Sequence, residues 1–344
     1  MIKFVKGNLL ESDAEALVNT VNCVGIMGKG IALQFKQAFP ENFKAYQKIC
    51  RQNKLQPGQM FIYKNSSLMN PKYIINFPTK KHWKEKSKIE YIQDGLESLI
   101  QEIKSLEIKS IAVPPLGCGN GGLKWEDVKL LMKEAFKQVP NVHVIIYSPS
   151  GYPQPEKMII RTDKPRLTKA RALFIALMNE YKNPGYKLTL IEIQKLAYFL
   201  QEVGEPLNLH FEQRKYGPYA ENLNHVLMRL EGHYLRGLGY GKRNPDVEIY
   251  PLPCATKEAM QFLKREPSSL ERLELVKKLI RGFESPYGME LLSTVHWVLK
   301  KNKEIDTLDK LVKKVHEWND RKRSTFIEKH IDIAWNHLKS IGLY

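Results

Sequence analysis

Cysteine is scarce in this chain: Cys23, Cys50, Cys118 and Cys254 lie far apart, and no two of them form a C-x-x-C pair. The nine histidines show no ligand spacing with them, so neither a disulfide framework nor a zinc site is indicated. No metal and no cofactor are expected. Long apolar runs are missing too, none approaching the ~18 residues of a membrane-spanning helix. Met1 leads into a strand-like run rather than a basic and then apolar leader. A soluble, cytoplasmic protein without a membrane partner is the expectation. Acidic side chains are in deficit, 37 against 54 basic ones, for a net charge of +17. That balance favours a polyanionic ligand or substrate, although a basic surface that serves solubility gives the same number.

At 344 residues the chain exceeds the usual size of one core, so two domains are expected. The charge is spread evenly between them, +8 over residues 1–150 and +9 over the remainder.

The stretch VNTVNCVGIMGKGIALQFKQAF, Val18 to Phe39, reads as strand, glycine loop and helix without interruption. Gly25, Gly28 and Gly30 permit close backbone approach, and the loop amides and helix start suit an anion. Around it the pattern predicts strands at Ile2–Lys6, Ala16–Val21, Met60–Tyr63, Tyr73–Phe77, Ile111–Val113 and Val142–Tyr147. Helices are predicted at Ile31–Phe39, Glu41–Asn53, Ser87–Ile103 and Trp125–Val139, giving a compact α/β domain over 1–150. A second glycine loop, Pro114 to Gly122, follows the strand at Ile111–Val113.

Two familiar nucleotide motifs fail on these loops. Gly28-Lys29-Gly30 lacks the Ser or Thr that a P-loop places after its lysine for magnesium. Gly117, Gly119 and Gly122 satisfy G-x-G-x-x-G, but Tyr147-Ser148 stands where a dinucleotide fold carries an acidic residue. Two loops, each at a strand's carboxyl end and a helix's amino end, can still clamp a diphosphate; tight turns needing glycine for steric reasons are the alternative.

Gly7-Asn8-Leu9-Leu10, Val18 to Cys23, Gly28-Lys29-Gly30-Ile31-Ala32 and Pro114 to Gly119 together resemble the signatures of an ADP-ribose-binding macrodomain. The resemblance covers about 1–150 and implies a three-layer α/β/α fold with a mixed sheet. Thr79-Lys80-Lys81 and the spacing before Leu123-Lys124-Trp125 are similar to the branch of terminal ADP-ribose glycohydrolases and DNA-directed antitoxins of the DarG type. What this implies is hydrolysis of a single ADP-ribose, with Lys80 at the catalytic position. The implied ADP-ribose contacts are Asn8, Leu9, Asn22, Gly25, Gly28, Lys29, Gly30, Ile31, Leu116, Gly117, Cys118, Gly119, Asn120, Gly121 and Tyr147. Asn22 would position the distal ribose, and Tyr147 would stack on adenine or pack in the core. Without the resemblance, Lys80 is one solvated lysine in the run Lys80, Lys81, Lys84, Lys86, Lys88. An amine there acts by attacking the opened sugar or as a fixed cation, and the sequence does not separate these.

The chain departs from the family at two places. Asn8 stands where many macrodomains carry Asp to accept from the adenine amino group; its amide oxygen can still accept. Asn120-Gly121-Gly122 lacks the Asp of the protein-directed glycohydrolases, which argues for the DNA-directed subgroup.

Residues 151–165 are proline-rich and read as part of a linker, and 166–344 as a mainly helical second domain. Its helices are expected at Arg171–Tyr181, Ile191–Val203, Ala220–Leu230, Lys257–Arg265, Leu270–Gly282, Tyr287–Lys300, Thr307–Trp318 and Thr325–Ile341. Gln194 to Leu200, followed by Lys215-Tyr216-Gly217-Pro218-Tyr219, resembles the Panacea or SocA-like antitoxin domain; an amphipathic helix and a structural turn explain the same residues. The whole resemblance implies an antitoxin that removes ADP-ribose from thymine in single-stranded DNA and binds its partner ADP-ribosyltransferase toxin, DarT-like, through 166–344. The alternatives are a hydrolase or deacylase acting on ADP-ribosylated protein, or a non-catalytic reader of ADP-ribose or binder of the toxin.

Overall fold

The computed structural model describes residues 1–149, 158–181, 188–238 and 248–343. Two compact units divide the chain, one ending at Asp163 and the other starting at Lys164.

In the first unit, β1 (Ile2–Val5), β2 (Ala16–Val21), β3 (Phe61–Lys64), β4 (Tyr73–Pro78), β5 (Ser110–Val113) and β6 (His143–Tyr147) form one mixed sheet in the order β1-β6-β5-β2-β4-β3. Every pairing is parallel except β3 with β4. Strand β2 shows why this is a three-layer fold. Its residues alternate between two cores: Ala16 and Val18 pack with α3 (Ile89–Ser105) and α4 (Trp125–Phe136), while Leu17 packs toward α1 (Gly30–Ala38). Val21, on that second face, meets Tyr46 and Cys50 of α2 (Pro40–Arg51). A strand covered on both faces is apolar at nearly every position, as 16–18 are. The expected three-layer α/β/α architecture with a mixed sheet is what the chain adopts.

The second face of β2 also buries polar residues. Asn19 and Asn76 are register partners, both fully buried. Asn19 Nδ2 donates to Asn76 Oδ1 at 3.0 Å, and Asn76 Nδ2 donates to Asn42 Oδ1 of α2 at 2.7 Å. These bonds tie two strands to the helix that backs the first glycine loop, while Asn19 Oδ1 is buried with no partner among the described residues.

Residues 151–157 of the expected linker lie outside the described residues. Beyond them, Ile159 packs on the cluster of Leu9, Leu10 and Phe39, and the Arg161 amide donates to the Gln37 carbonyl at 2.8 Å, so this stretch is seated on the first unit.

The second unit is mainly helical: α5 (Lys169–Glu180), α6 (Leu190–Glu202), α7 (Leu223–Leu230), α8 (Pro253–Leu263), α9 (Pro267–Ile280), α10 (Pro286–Lys301), α11 (Leu308–His316), α12 (Asp320–Thr325) and α13 (Glu328–Ile341). Helix α10 is buried along most of its length and serves as its axis. The mainly helical expectation holds, and two short β pairings accompany the helices. A hairpin of β7 (Phe211–Arg214) and β8 (Gly217–Ala220) contains the Tyr-Gly-Pro-Tyr motif, and β9 (Leu235–Arg236) pairs with β10 (Tyr250–Pro251). Ala220, expected to open a helix, closes β8, and the helix begins at Leu223.

Candidate functional site

Parallel pairing puts the carboxyl ends of β2, β4, β5 and β6 at one edge of the sheet. Strand β2 lies between β4 and β5, and the chain after β4 crosses to its other side. This is the switch point at which α/β sheets bind ligands. The loops carrying Asn22 to Lys29, Thr79 to Ser87 and Pro114 to Gly122 leave these three adjacent strands, so residues separated by up to a hundred positions converge.

The loops are bonded to one another. The Cys23 amide donates to the Lys81 carbonyl at 3.0 Å, and the Ser87 amide to the Gly121 carbonyl at 3.0 Å. Lys80 lies between: its Nζ donates to the carbonyls of Asn120 and Glu85, each at 3.1 Å. The lysine singled out in the sequence therefore joins the third loop to the second glycine loop. Gly30 brings the first glycine loop to the same place. Its φ of 60° is left-handed, and a Cβ there would stand 3.2 Å from Asn120 Nδ2. Gly121 has no room for a side chain, since a Cβ would lie 2.2 Å from both the Gly117 carbonyl oxygen and Ser87 Oγ. Gly28 and exposed Lys29 complete the first loop, and Gly119, where a Cβ would meet nothing, lies open on the second.

Asn22, expected to position the distal ribose, is hydrogen-bonded within its own loop. Its Oδ1 accepts from the amides of Val24 at 3.0 Å and Ile26 at 3.3 Å, and from the Tyr46 hydroxyl at 3.1 Å. Its Nδ2 donates to the Ile26 carbonyl at 2.5 Å. The side chain is the internal brace of the first glycine loop. Gly25, at φ 77°, is buried against Gln47 and Cys50 in the same brace.

A second group forms beside β1 and β6. Val5 and Tyr147 are register partners, and Leu9, Ile31 and Tyr147 share one apolar cluster. Asn8 caps the short 3-10 turn Leu9–Glu11, its side chain accepting from the Leu10 amide at 3.1 Å and donating to Glu11 at 3.2 Å. Tyr147 is half-buried, its hydroxyl pushed up mainly by burial.

Leu116 is buried beneath the second loop. Burial pushes the Cys23 and Cys118 thiols up to about 12, so both sulfurs near the loops stay protonated and neither is a thiolate nucleophile at neutral pH. Among the described residues, no group of His, Cys, Asp and Glu is arranged to hold a metal ion, and no helix is long and apolar enough to cross a membrane. Sequence reasoning passed over Ser87, whose buried hydroxyl has no hydrogen-bond partner among the described residues and occupies the space a Cβ at Gly121 would need, and over Trp83, 41% exposed beside Lys84. A lone serine or tryptophan in a polar stretch carries no signal until the loop is seen.

The Macro domain family model matches residues 18–132. A "DNA ADP-ribosyl glycohydrolase" of Thermus aquaticus is 47% identical over 99% of this chain and 94% of its own length. A "DNA ADP-ribosyl transferase-DNA ADP-ribosyl glycohydrolase fusion protein" of Thermosipho africanus is 36% identical over 43% of this chain and 42% of its own. Among solved structures, the macrodomain of Mycobacterium tuberculosis DarG is 57% identical, covering 44% of this chain and 99% of that one, with a TM-score of 0.43. On the likeness to the Thermus protein, which runs nearly end to end in both, the chain is a hydrolase and belongs to the family of DNA ADP-ribosyl glycohydrolases.

Proposed function

We propose that the first unit hydrolyses the N-glycosidic bond between ADP-ribose and thymine in single-stranded DNA, with Lys80 as its catalytic residue. The observation that carries this reading is the seat of the Lys80 ammonium, held 3.1 Å from the Asn120 carbonyl where two glycine loops meet. The name of the Thermus relative supplies the polymer and the bond. Diphosphate would lie on the amides of the two loops, and adenine beside Asn8, Leu9 and Tyr147. Water adds to the anomeric carbon of the distal ribose, the bond to the base nitrogen breaks, and the base takes up the proton. Lys80 contributes in one of two ways: its neutral amine displaces the base at the anomeric carbon, giving an imine of the opened sugar that water hydrolyses back to free amine and ADP-ribose, or it holds positive charge beside the breaking bond while water attacks.

The test is release of free ADP-ribose from an ADP-ribosylated single-stranded oligonucleotide. Lys80→Ala is expected to lower the rate by about a hundredfold or more while ADP-ribose still binds in calorimetry; unchanged turnover removes Lys80 from the role.

A second activity is favoured by the fusion relative, whose name joins transferase and glycohydrolase in one polypeptide. The second unit captures the ADP-ribosyltransferase toxin that places the mark, which makes the whole chain an antitoxin. Co-expression of toxin with the Lys80→Ala chain separates the two activities: growth rescued by a stoichiometric complex supports capture, and no complex on gel filtration refutes it.

A further inference from the structure

The loop that delivers Lys80 carries a feature that hydrolysis of the glycosidic bond does not use. Between its two anchors, the Lys81 carbonyl held by Cys23 and the Ser87 amide on Gly121, the chain turns through His82-Trp83-Lys84-Glu85, closed by the Glu85 amide on the His82 carbonyl at 3.1 Å. Trp83 is 41% exposed and leaves a large part of its indole surface open to solvent. His82 lies against it at 5.5 Å between ring centroids with planes 34° apart, and Lys84 Nζ is 5.1 Å from its centroid. Lys81, Lys84, Lys86 and Lys88, its neighbours in the sequence, are all exposed. Val24 and Ile26 at the rim of the first glycine loop, each 43% exposed, extend the apolar surface offered by these loops.

An aromatic platform interleaved with lysines is the pattern that binds single strands: stacking takes any base, and the cations follow the phosphates. Only Lys81 and His82 lie between Lys80 and Trp83, so the Cα atoms of the latter two are at most about 11 Å apart. A strand whose modified base is at Lys80 therefore carries its flanking bases to Trp83.

We propose that Trp83, steadied by His82 and flanked by Lys81 and Lys84, is a stacking platform for an unmodified base next to the ADP-ribosylated one. It selects a modified strand over a modified nucleoside. This rests on the proposed action on DNA. Its chemistry, an indole face among cations, fits a polynucleotide better than a protein substrate, which offers no row of bases.

The experiment compares the full chain with Trp83→Ala and Trp83→Phe on two substrates, an ADP-ribosylated single-stranded oligonucleotide and ADP-ribosylated thymidine. Binding of an unmodified, fluorescein-labelled oligothymidylate is measured alongside by anisotropy. Trp83→Ala should raise KM for the oligonucleotide about tenfold, leave kcat and turnover of the nucleoside within about twofold, and weaken oligothymidylate binding by a similar factor. Trp83→Phe should recover most of both losses. Equal effects on oligonucleotide and nucleoside, or no effect on either, overturn the platform. If wild type releases ADP-ribose from neither substrate, the reading of the function fails instead. The anisotropy series then decides Trp83 alone, unchanged affinity in Trp83→Ala refuting it.

Discussion

At the level of single residues, the site is built from groups that hold its loops more than from groups that face a ligand. Asn22 directs both ends of its amide to the backbone between Val24 and Ile26, so truncating it leaves two loop amides without their acceptor. Asn22→Ala should destabilise the first unit by about 1–3 kcal/mol and raise KM for the ADP-ribosylated oligonucleotide, read by thermal melts and initial rates. Gly121 is the sharper case. A Cβ 2.2 Å from the Gly117 oxygen cannot be accommodated without moving the loop, and the carbonyl that seats Lys80 belongs to the preceding residue, Asn120. Gly121→Ala should lower kcat by on the order of a hundredfold with a much smaller change in melting temperature; a full-rate variant would show that the Asn120 seat is dispensable.

At the level of elements, two packing contacts give tests. Gly95 of α3 lies on Phe77 of β4, where an added Cβ would stand 2.2 Å from the ring. Helix propensity alone favours alanine there, but overpacking wins, and Gly95→Ala should cost about 1–3 kcal/mol in chemical denaturation. In the second unit, Gln194 exchanges two hydrogen bonds with the Ala220 backbone, and Lys195 Nζ donates to the Pro218 carbonyl at 2.7 Å, clamping β8 to α6. Lys322 is buried nearby on Glu290 at 2.7 Å. Burial, with the neighbouring Lys322 charge, pushes Lys195 down to about 7, and burial pushes Lys322 down to about 8. The unfolded chain returns both to the ordinary 10.5, so between these values it binds more protons than the folded one. Stability from this cluster is therefore present at high pH and declines as pH falls toward about 7. Lys195→Met should flatten the rise in melting temperature between about pH 7 and 9; an unchanged slope would place the titration elsewhere. The α/β order of the first unit was legible because strands buried on both faces and amphipathic helices each leave their own period. The β7–β8 hairpin was not, since Phe-Glu-Gln-Arg is polar and mostly exposed and its reason to extend comes from α6. Nor was the Asn19–Asn76–Asn42 set legible, because asparagine in a sequence suggests turns and only strand register brings these three together.

Over the whole molecule, the positive charge does not by itself choose a partner, because both parts of the chain carry nearly the same excess. Location decides. The convergence of three loops follows from strand order, which sequence motifs in chain order do not contain, and it is this that turns the lysines at 81, 84, 86 and 88 into a flank of the Lys80 seat. If those four exposed ammoniums contact phosphates, each displaces counterions, and the affinity for a single strand should fall with salt at a log–log slope of about −3. Substituting Lys84, Lys86 and Lys88 by alanine removes three contacts and should reduce the slope by about two, while Lys-to-Ala changes on α11 of the second unit leave it alone. The chemical step involves no release of these ions, so kcat should vary little with salt and KM should carry the dependence. Measuring both from about 50 to 200 mM salt separates a local phosphate track from a diffuse basic surface: the track predicts that the loop variant alone loses most of the dependence, and equal slopes in all three proteins would leave the charge as a matter of solubility.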